Sequence, residues 1–158
     1  MAQKKKVVTK PGAVVNRRAR FDYELGEDLV VGLALTGPEV RAARDGHVQL
    51  KGSFVTIRDN ELWLNNTSFS IMLQKKGDPT SRSIDTSPRK LLAHRKQITD
   101  LAIRRKQGMT IVPTKLITTS RHIKIVIALG KGKKNYDKRE TLKRRDQERD
   151  ASRAIKNS

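Results

Sequence analysis

The sequence predicts a mostly β domain, a small barrel or sandwich, followed by a basic tail that cannot fold by itself. Nearly all large apolar side chains lie between residues 20 and 130, in short and regularly spaced runs separated by turn signals. From Lys131 onward the only aromatic residue is Tyr136, and the other apolar side chains are Leu142, Ala151, Ala154 and Ile155. The core must therefore come from the middle of the chain.

Charge divides the chain further. Residues 1–19 form a basic arm without an acidic side chain, residues 20–130 form the domain, and residues 131–158 form the tail. The net charge of +19 attracts polyanions and repels copies of the same chain, so we expect a nucleic-acid partner and a monomer. Without cysteine, an apolar signal core or a membrane-length apolar run, the chain is expected to be cytoplasmic, with no membrane partner.

The first half of the middle zone predicts strands around one short helix. Residues 21–25 (FDYEL) alternate, and residues 29–35 (LVVGLAL) are continuously apolar, as in a buried strand. A helix is predicted near 38–44, because Pro38 suits its first position and Gly46 can end it. Residues 53–66 read as a β-hairpin with a turn at Asp59-Asn60.

The second half predicts a mobile polar loop, a longer helix and two more strands. The helix is expected over 88–107, with Ser87 as its cap, an apolar face that includes Leu91 and Ile98, and a basic face. Since almost every charge on that face is positive, it indicates a surface for RNA more than a solvated face. In the strand at 109–118, Pro113 removes a ladder donor and predicts an edge or a bulge.

Nothing in the sequence indicates catalysis, a metal site or a cofactor. His47, His94 and His122 are far apart and lack ligand spacing. The GKGKK stretch at 130–134 is not a Walker phosphate loop, and it is either a flexible linker or a hinge that contacts phosphates. Aromatic residues make up only 4%, which favours recognition of RNA by shape and backbone charge over base stacking.

The tail is compatible with a helix but has no apolar stripe. Helical spacing would pair Glu140 with Arg144, and would place an acid three residues before Arg149 and before Arg153. An isolated helix of this kind is marginal in water, so we expect disorder in the free protein and a helix on a polyanionic partner. A loose basic tail that adds only non-specific affinity is the alternative.

The order of several segments resembles the SsrA-binding protein (small protein B) family, the bacterial partner of transfer-messenger RNA. These segments are NRRAR (16–20), GLALTGPEVRAAR (32–44), PRKLLAHR (88–95), GMTIVPTKL (108–116) and GKGKKNYDKRETLKRRD (130–146). The resemblance implies a closed, oligonucleotide-binding-like (OB-like) antiparallel β-barrel with flanking helices. It implies binding to the tRNA-like domain of transfer-messenger RNA, mimicry of the missing anticodon arm in the decoding centre of a stalled ribosome, and a tail in the empty mRNA channel.

The resemblance also assigns roles to individual residues, and basic residues next to them are added because of their positive charge. On the body, the expected RNA-binding residues are Asn16, Arg17, Arg18, Glu39, Arg41, Arg44, Arg89, Lys90, Leu91 and Lys124. In the tail, the expected decoding-centre and channel residues are Gly132, Lys133, Lys134, Tyr136, Asp137, Lys138, Arg139, Leu142, Lys143, Arg144 and Arg145.

The chain departs from the family pattern in places, and other functions compete. Val30 stands where a carboxylate is frequent, Arg41-Ala42 replaces Lys-Ser, Ala93 replaces a leucine, and the loop at 76–88 is longer. A basic ribosomal protein with a tail that penetrates RNA has the same physical character. An RNA hydrolase is a weaker alternative, because acids and histidines do not cluster in the sequence.

Overall fold

The computed structural model describes residues 12–73 and 81–157, and within these ranges the fold is mostly β with flanking helices. In chain order the elements are β1 (Ala13–Val15), α1 (Arg17–Asp22), β2 (Tyr23–Leu33), α2 (Gly37–Arg44), β3 (Val48–Gln49), β4 (Phe54–Arg58), β5 (Glu61–Asn65), β6 (Ser68–Met72), β7 (Arg82–Asp85), β8 (Arg89–Leu92), α3 (Arg95–Arg105), β9 (Thr110–Thr118), β10 (Ile123–Gly132) and α4 (Asn135–Lys156).

The strands pair antiparallel in two sheets. The larger sheet has the order β1-β9-β10-β2-β8-β5-β4, and β4 also pairs with β9 through Val55 and Ile111, so the sequence of pairings returns to β9. Inside this ring lies the core, whose fully buried side chains include Leu62, Leu64, Ile111, Leu116, Ile125 and Ile127. The smaller sheet has the order β3-β6-β7. Burial of these apolar side chains is the main stabilising term of the fold.

Two local predictions are confirmed. Asp59 and Asn60 have φ of 48° and 59°, the left-handed conformation that a two-residue hairpin turn requires, and Arg58 pairs with Glu61 across them. At the predicted irregularity, Lys115 lies opposite Val126 and Pro113 lies opposite Ile127, so Thr114 is the extra residue of a β-bulge. The bulge lies in the interior of the sheet, since β9 has β1 and β10 on its two sides.

The predicted helix over 88–107 is wrong in its first third. Residues Arg89–Leu92 are strand β8, which pairs with β2 and β5, and the helix begins at Arg95. Ser87 does not cap a helix. Its backbone N–H and its hydroxyl both donate to Asp85 Oδ1, at 2.8 and 2.5 Å. The apolar residues at helical spacing also fit a strand that is followed by a shorter helix.

Other boundaries differ as well. Residues 21 and 22, predicted to start a strand, end the short helix α1, and a single strand, β2, follows from Tyr23. Strand β7 lies within the segment predicted as a mobile polar loop. The part of that loop before residue 81 and residues 1–11 of the predicted arm lie outside the described residues. Helix α2 includes the predicted residues 38–44.

The tail is a helix in this structure, and none of its described residues is buried. Arg149 pairs with Asp146 at 3.8 Å and Arg153 with Asp150 at 3.9 Å, as helical spacing predicts. Arg144 instead contacts Glu148, at 3.9 Å, and not Glu140. Among the described residues, no helix is both long enough and apolar enough to cross a membrane.

Candidate RNA interface

A row of three residues crosses the outer face of the sheet near the start of β10. Gly32 on β2 is the register partner both of Lys124 on β10 and of Leu92 on β8. Partners directly across neighbouring strands lie on the same face, so a cation and a leucine flank a glycine. A Cβ on Gly32 would lie 3.1 Å from the Leu92 Cβ, which is closer than ordinary contact. Glycine therefore keeps this part of the face flat.

Helix α2 and the β9–β10 turn complete a depression of about 440 Å³ around this row, which we call the sheet-face depression. Its cations are Arg44, Arg121 and Lys124, beside His122. Arg44 Nη2 donates to the Ser120 carbonyl at 3.2 Å, which joins α2 to the β9–β10 turn. None of the described residues that line the depression is acidic. The arrangement fits a polyanion with an apolar surface between its charges.

Two exposed apolar side chains continue this face. Leu92 is 54% exposed and Val30 is 50% exposed, and Val30 lies opposite Val126 one row along the sheet. The exposed valine at position 30 extends the apolar surface of this row.

Leu91 and Leu92 point to opposite sides of β8. Leu91, the residue that the sequence assigned to RNA, is 2% exposed and lies in the core, where it pairs with Leu62 and Leu33. Sequence reasoning missed Leu92. In a strand, neighbouring side chains face opposite sides of the sheet, so a strand prediction for this segment would have placed Leu92 on the exposed face. The segment was instead predicted to be helical.

Asn16 is buried and fully hydrogen-bonded. Its Nδ2 donates to the carbonyls of Leu50 and Pro113, at 3.0 and 2.8 Å, and its Oδ1 accepts from the Ala19 N–H at the start of α1. Its own N–H donates at 2.8 Å to the carbonyl of Thr114, the extra residue of the bulge in β9. Asn16 therefore holds α1, with its exposed Arg17 and Arg18, against the bulge.

Glu39 and Arg89 form a buried ion pair. Arg89 Nε donates to Glu39 Oε1 at 2.8 Å, and the two side chains are 4% and 9% exposed. Glu39 Oε2 also accepts the N–H of Thr36, which caps α2. The Arg89 guanidinium lies 4.1 Å from the Phe69 ring centroid and donates to three backbone carbonyls, those of Thr67, Asp85 and Ser87. Both side chains, assigned to RNA by the sequence, are enclosed and connect α2 to β8.

A carboxylate beside this pair is held in its charged form. The two hydrogen bonds from Ser87 lower the pKa of Asp85, and the nearby Arg89 charge acts in the same direction. Asp85 Oδ2 lies 3.5 Å from Arg89 Nη2. The hydrogen bonds thus keep Asp85 available as a second partner of the arginine.

Two other predicted residues lie on separate surfaces. Lys90 forms a half-exposed ion pair with Glu61 on β5. Arg41 is exposed on α2 and lines a different depression, with Arg82 and Met72. The structure therefore brings together Arg44 and Lys124 among the predicted RNA-binding residues, and it adds Leu92 and Arg121.

The tail begins at the opposite end of β10. Lys124 and Gly132 are the second and last residues of this strand, which separates them by about 26 Å at about 3.3 Å per residue. Gly132 pairs with Tyr23, and the Lys133 N–H donates to the Asp22 carbonyl at 2.9 Å. We call the described residues up to Lys134 the body and α4 the tail helix.

The base of the tail helix is tied to the body, and the remainder is free of buried contacts. Asp137 Oδ2 accepts the Lys134 N–H at 3.2 Å, and Lys138 Nζ lies 3.4 Å from Asp22 Oδ1. Tyr136 is 63% exposed and Leu142 is 47% exposed. Arg139, Lys143, Arg144 and Arg145 are exposed as well.

Comparisons with known proteins agree on one family. The family model described as "SmpB protein" matches residues 13–157. An SsrA-binding protein of Shouchella clausii is 44% identical over 151 residues, covering 94% of this chain and 95% of the relative. One of Trichodesmium erythraeum is 44% identical over 142 residues, covering 89% and 90%. A chain in a solved structure described as "tmRNA-SmpB: a journey to the center of the bacterial ribosome" has a TM-score of 0.59 and 35% identity, and the match covers 78% of this chain and 85% of that one.

Proposed function

This chain belongs to the SmpB protein family, and from that premise we propose that it is an RNA-binding adaptor for the rescue of stalled ribosomes by trans-translation. It binds transfer-messenger RNA and works on the ribosome, the two partners named for the solved relative. It is not an enzyme in this proposal, because its task is to hold and place an RNA. It acts in the cytoplasm, where ribosomes stall.

The sheet-face depression is the observation that carries the proposal. Three cations and no described carboxylate surround the flat row formed by Lys124, Gly32 and Leu92. The cations neutralise phosphates, and the apolar surface packs against riboses and base edges, which suits a folded RNA recognised by shape. The tRNA-like domain of transfer-messenger RNA is the ligand that we assign to this surface.

The enclosed residues act by positioning this surface. The Glu39–Arg89 pair joins α2, which carries Arg44, to β8, which carries Leu92. Leu91 fixes β8 from the core side, and Asn16 fixes α1 with its two exposed arginines. Loss of any of these contacts moves RNA-binding groups without removing them.

The ring of strands is a closed, OB-like β-barrel in this proposal. Its support is the return of the pairings to β9 through Val55 and Ile111. The barrel, within residues 20–130, holds the surface for transfer-messenger RNA. Residues 1–19 are an arm that adds phosphate contacts, and residues 131–158 are a separate functional unit, although β10 extends two residues into it.

The tail is disordered in free solution and helical on the stalled ribosome. Support comes from α4, in which no described residue is buried, so few contacts with the body offset the ordering entropy of about 1–2 kcal/mol per residue. Its 22 residues span about 33 Å as a helix, long enough to enter an mRNA channel. The tail occupies that channel when mRNA is missing. Tyr136 stacks on a decoding-centre base, and Lys138 and Arg139 hold phosphates.

Sequencing the RNA that co-purifies with the tagged protein tests the proposal. The expected result is one dominant RNA, transfer-messenger RNA, together with less than one copy of the protein per ribosome. A stoichiometric complex with every ribosome and no enrichment of a single RNA would instead identify a ribosomal protein. Cleavage of structured RNA by the purified chain would identify a hydrolase.

A further inference from the structure

Asp22 is an acidic residue at the junction between the body and the tail helix, and it has no role in RNA binding. It is the last residue of α1, and its side chain is 25% exposed. Its carbonyl accepts the Lys133 N–H at 2.9 Å. One carboxylate oxygen, Oδ2, accepts from Arg18 Nε at 2.9 Å, and the other, Oδ1, lies 3.4 Å from Lys138 Nζ. Asp22 therefore contacts the chain on both sides of the start of α4.

The structure of α1 does not account for an acid at this position. A carboxylate at the C-terminal end of a helix meets the negative end of the helix dipole, which is unfavourable. The i,i+4 pair with Arg18 has its cation on the N-terminal side, the weaker of the two orders on a helix. The contact outside α1 that requires the charge of a carboxylate is the one with Lys138. The acid is thus explained by the tail helix and not by its own helix.

Two fixed points define the direction in which the tail helix leaves the body. The first is the end of β10, where the Asp22 carbonyl accepts the Lys133 N–H. The second is Lys138, the fourth residue of α4, which the Asp22 carboxylate contacts. From there the helix continues to Lys156, which is about 27 Å at about 1.5 Å per residue. A change of about 20° in its direction would move its far end by about 9 Å, nearly the diameter of a helix.

We infer that Asp22 is a positioning residue for the tail, which fixes the angle at which the helical tail leaves the body and so directs it into the mRNA channel. The inference rests on the proposed function, in which the tail enters that channel. Asp22 itself touches no RNA in this role. Because a lysine ammonium has three donors, Lys138 can contact Asp22 and a phosphate at the same time.

The test measures tagging of stalled peptides as a function of the concentration of the complex between the protein and transfer-messenger RNA. Three variants of the full chain are compared with the unaltered chain. Asp22→Asn removes the charge and keeps the shape, and Asp22→Glu restores a carboxylate. The matched control, Glu27→Gln, removes a carboxylate of β2 that lies 3.5 Å from Arg104 and does not contact the tail. Thermal unfolding should be the same for all four chains, because neither carboxylate is buried.

Asp22→Asn is expected to lower the maximal tagging rate by about fivefold, because loss of a partly exposed ion pair reduces the aligned population by about that factor. The apparent KM of the complex and the affinity for transfer-messenger RNA should stay within about twofold, since the sheet-face depression is unchanged. Asp22→Glu should recover most of the rate, and Glu27→Gln should tag normally. A lower maximal rate at unchanged KM and unchanged thermal stability indicates a misplaced tail.

Equal maximal rates for Asp22→Asn and the unaltered chain would overturn the inference. A faster rate for Asp22→Asn would also overturn it, because Asp22 would then restrain Lys138 instead of directing the tail. Absence of tagging by the unaltered chain is a different result, which would overturn the proposed function and the role of Asp22 with it.

Discussion

The body and the tail helix carry similar chemistry in opposite structural settings. In the body, cations stand on strands and helices that enclose a core of fully buried side chains, and even an arginine, Arg89, is built into the interior. In the tail helix no described residue is buried, and the ion pairs have distances of 3.8 to 3.9 Å between exposed groups. The body thus has a packed core of its own, and we propose that the tail depends on its surroundings for its shape.

This difference separates two kinds of recognition. A preformed surface such as the sheet-face depression binds without the cost of ordering its backbone and can select one folded RNA. A segment that becomes helical on binding uses much of its interaction energy to offset the entropy of ordering. It therefore forms a helix only where its surroundings provide enough contacts. We therefore expect mutations in the body, Asp22 excepted, to change stability and RNA affinity, and mutations in the tail to change ribosome rescue alone.

The largest effect is expected from the buried ion pair. Arg89→Ala leaves the Glu39 carboxylate buried without its cation, which should lower the free energy of unfolding by about 3–5 kcal/mol. Chemical denaturation measures this change. Lys90→Ala is the matched control, because its ion pair with Glu61 is about 40% exposed and should contribute no more than about 1 kcal/mol. Equal losses for the two variants would contradict the account, because the buried position of the Glu39–Arg89 pair would then add nothing to the cost of removing its cation.

The next largest effect is expected from a proline in the tail helix, which should reduce tagging and leave RNA affinity unchanged. Leu142→Pro places a proline in the interior of α4, at a cost of about 3 kcal/mol to the helix. Tagging of the stalled peptide in a reconstituted rescue assay should fall by more than about 100-fold, with affinity for transfer-messenger RNA within twofold. Leu142→Ala shortens the side chain and keeps the helix, so near-normal tagging by this control would assign the loss in Leu142→Pro to the broken helix. Normal tagging by Leu142→Pro would mean that the tail acts only as an unstructured tether.

A smaller effect is expected from one cation of the sheet-face depression. Lys124→Ala should weaken binding to the tRNA-like domain by about tenfold and reduce the salt slope by about 1, because one phosphate contact is lost. Binding measured at several salt concentrations gives both quantities. Lys156→Ala removes the same charge from the tail helix and should change neither. If the two variants behave alike, net charge and not the sheet face determines the affinity.

Sequence reasoning succeeded where local chemistry is decisive. The Asp59-Asn60 hairpin and the bulge at Pro113 follow from turn preference and from a missing donor, and neither needs knowledge of the rest of the fold. It failed at residues 89–92, where a four-residue strand precedes a helix and the apolar spacing fits both. The partners of that strand, β2 and β5, are distant in sequence, so only tertiary pairing decides its conformation.

The candidate site was predicted in part for the same reason. Charge pattern and resemblance found Arg44 and Lys124, which are exposed and line the sheet-face depression. The interior positions of Asn16, Glu39 and Arg89 could not be read from their polarity, because each is buried only through long-range hydrogen bonds. Leu92 was missed because the choice between Leu91 and Leu92 depends on which face of β8 lies toward the core.

The smallest effect is expected from a surface pair of the tail. Arg149→Ala removes an exposed pair with Asp146, which should change the free energy of unfolding of the protein by less than about 0.5 kcal/mol. Denaturation of this variant beside Arg89→Ala gives the comparison directly. A loss above about 1 kcal/mol would indicate that the tail helix is part of the cooperative fold.

Removal of the tail tests the separation of body and tail most directly. A chain that ends after Lys134 keeps β10 and the contact of Lys133 with Asp22, and it lacks the whole of α4. Its affinity for transfer-messenger RNA, measured beside that of the full chain, should differ by less than about 1.4 kcal/mol, a tenfold change, while tagging of stalled peptides is lost. A loss of several hundredfold in RNA affinity, or tagging that continues without the tail, would contradict the account.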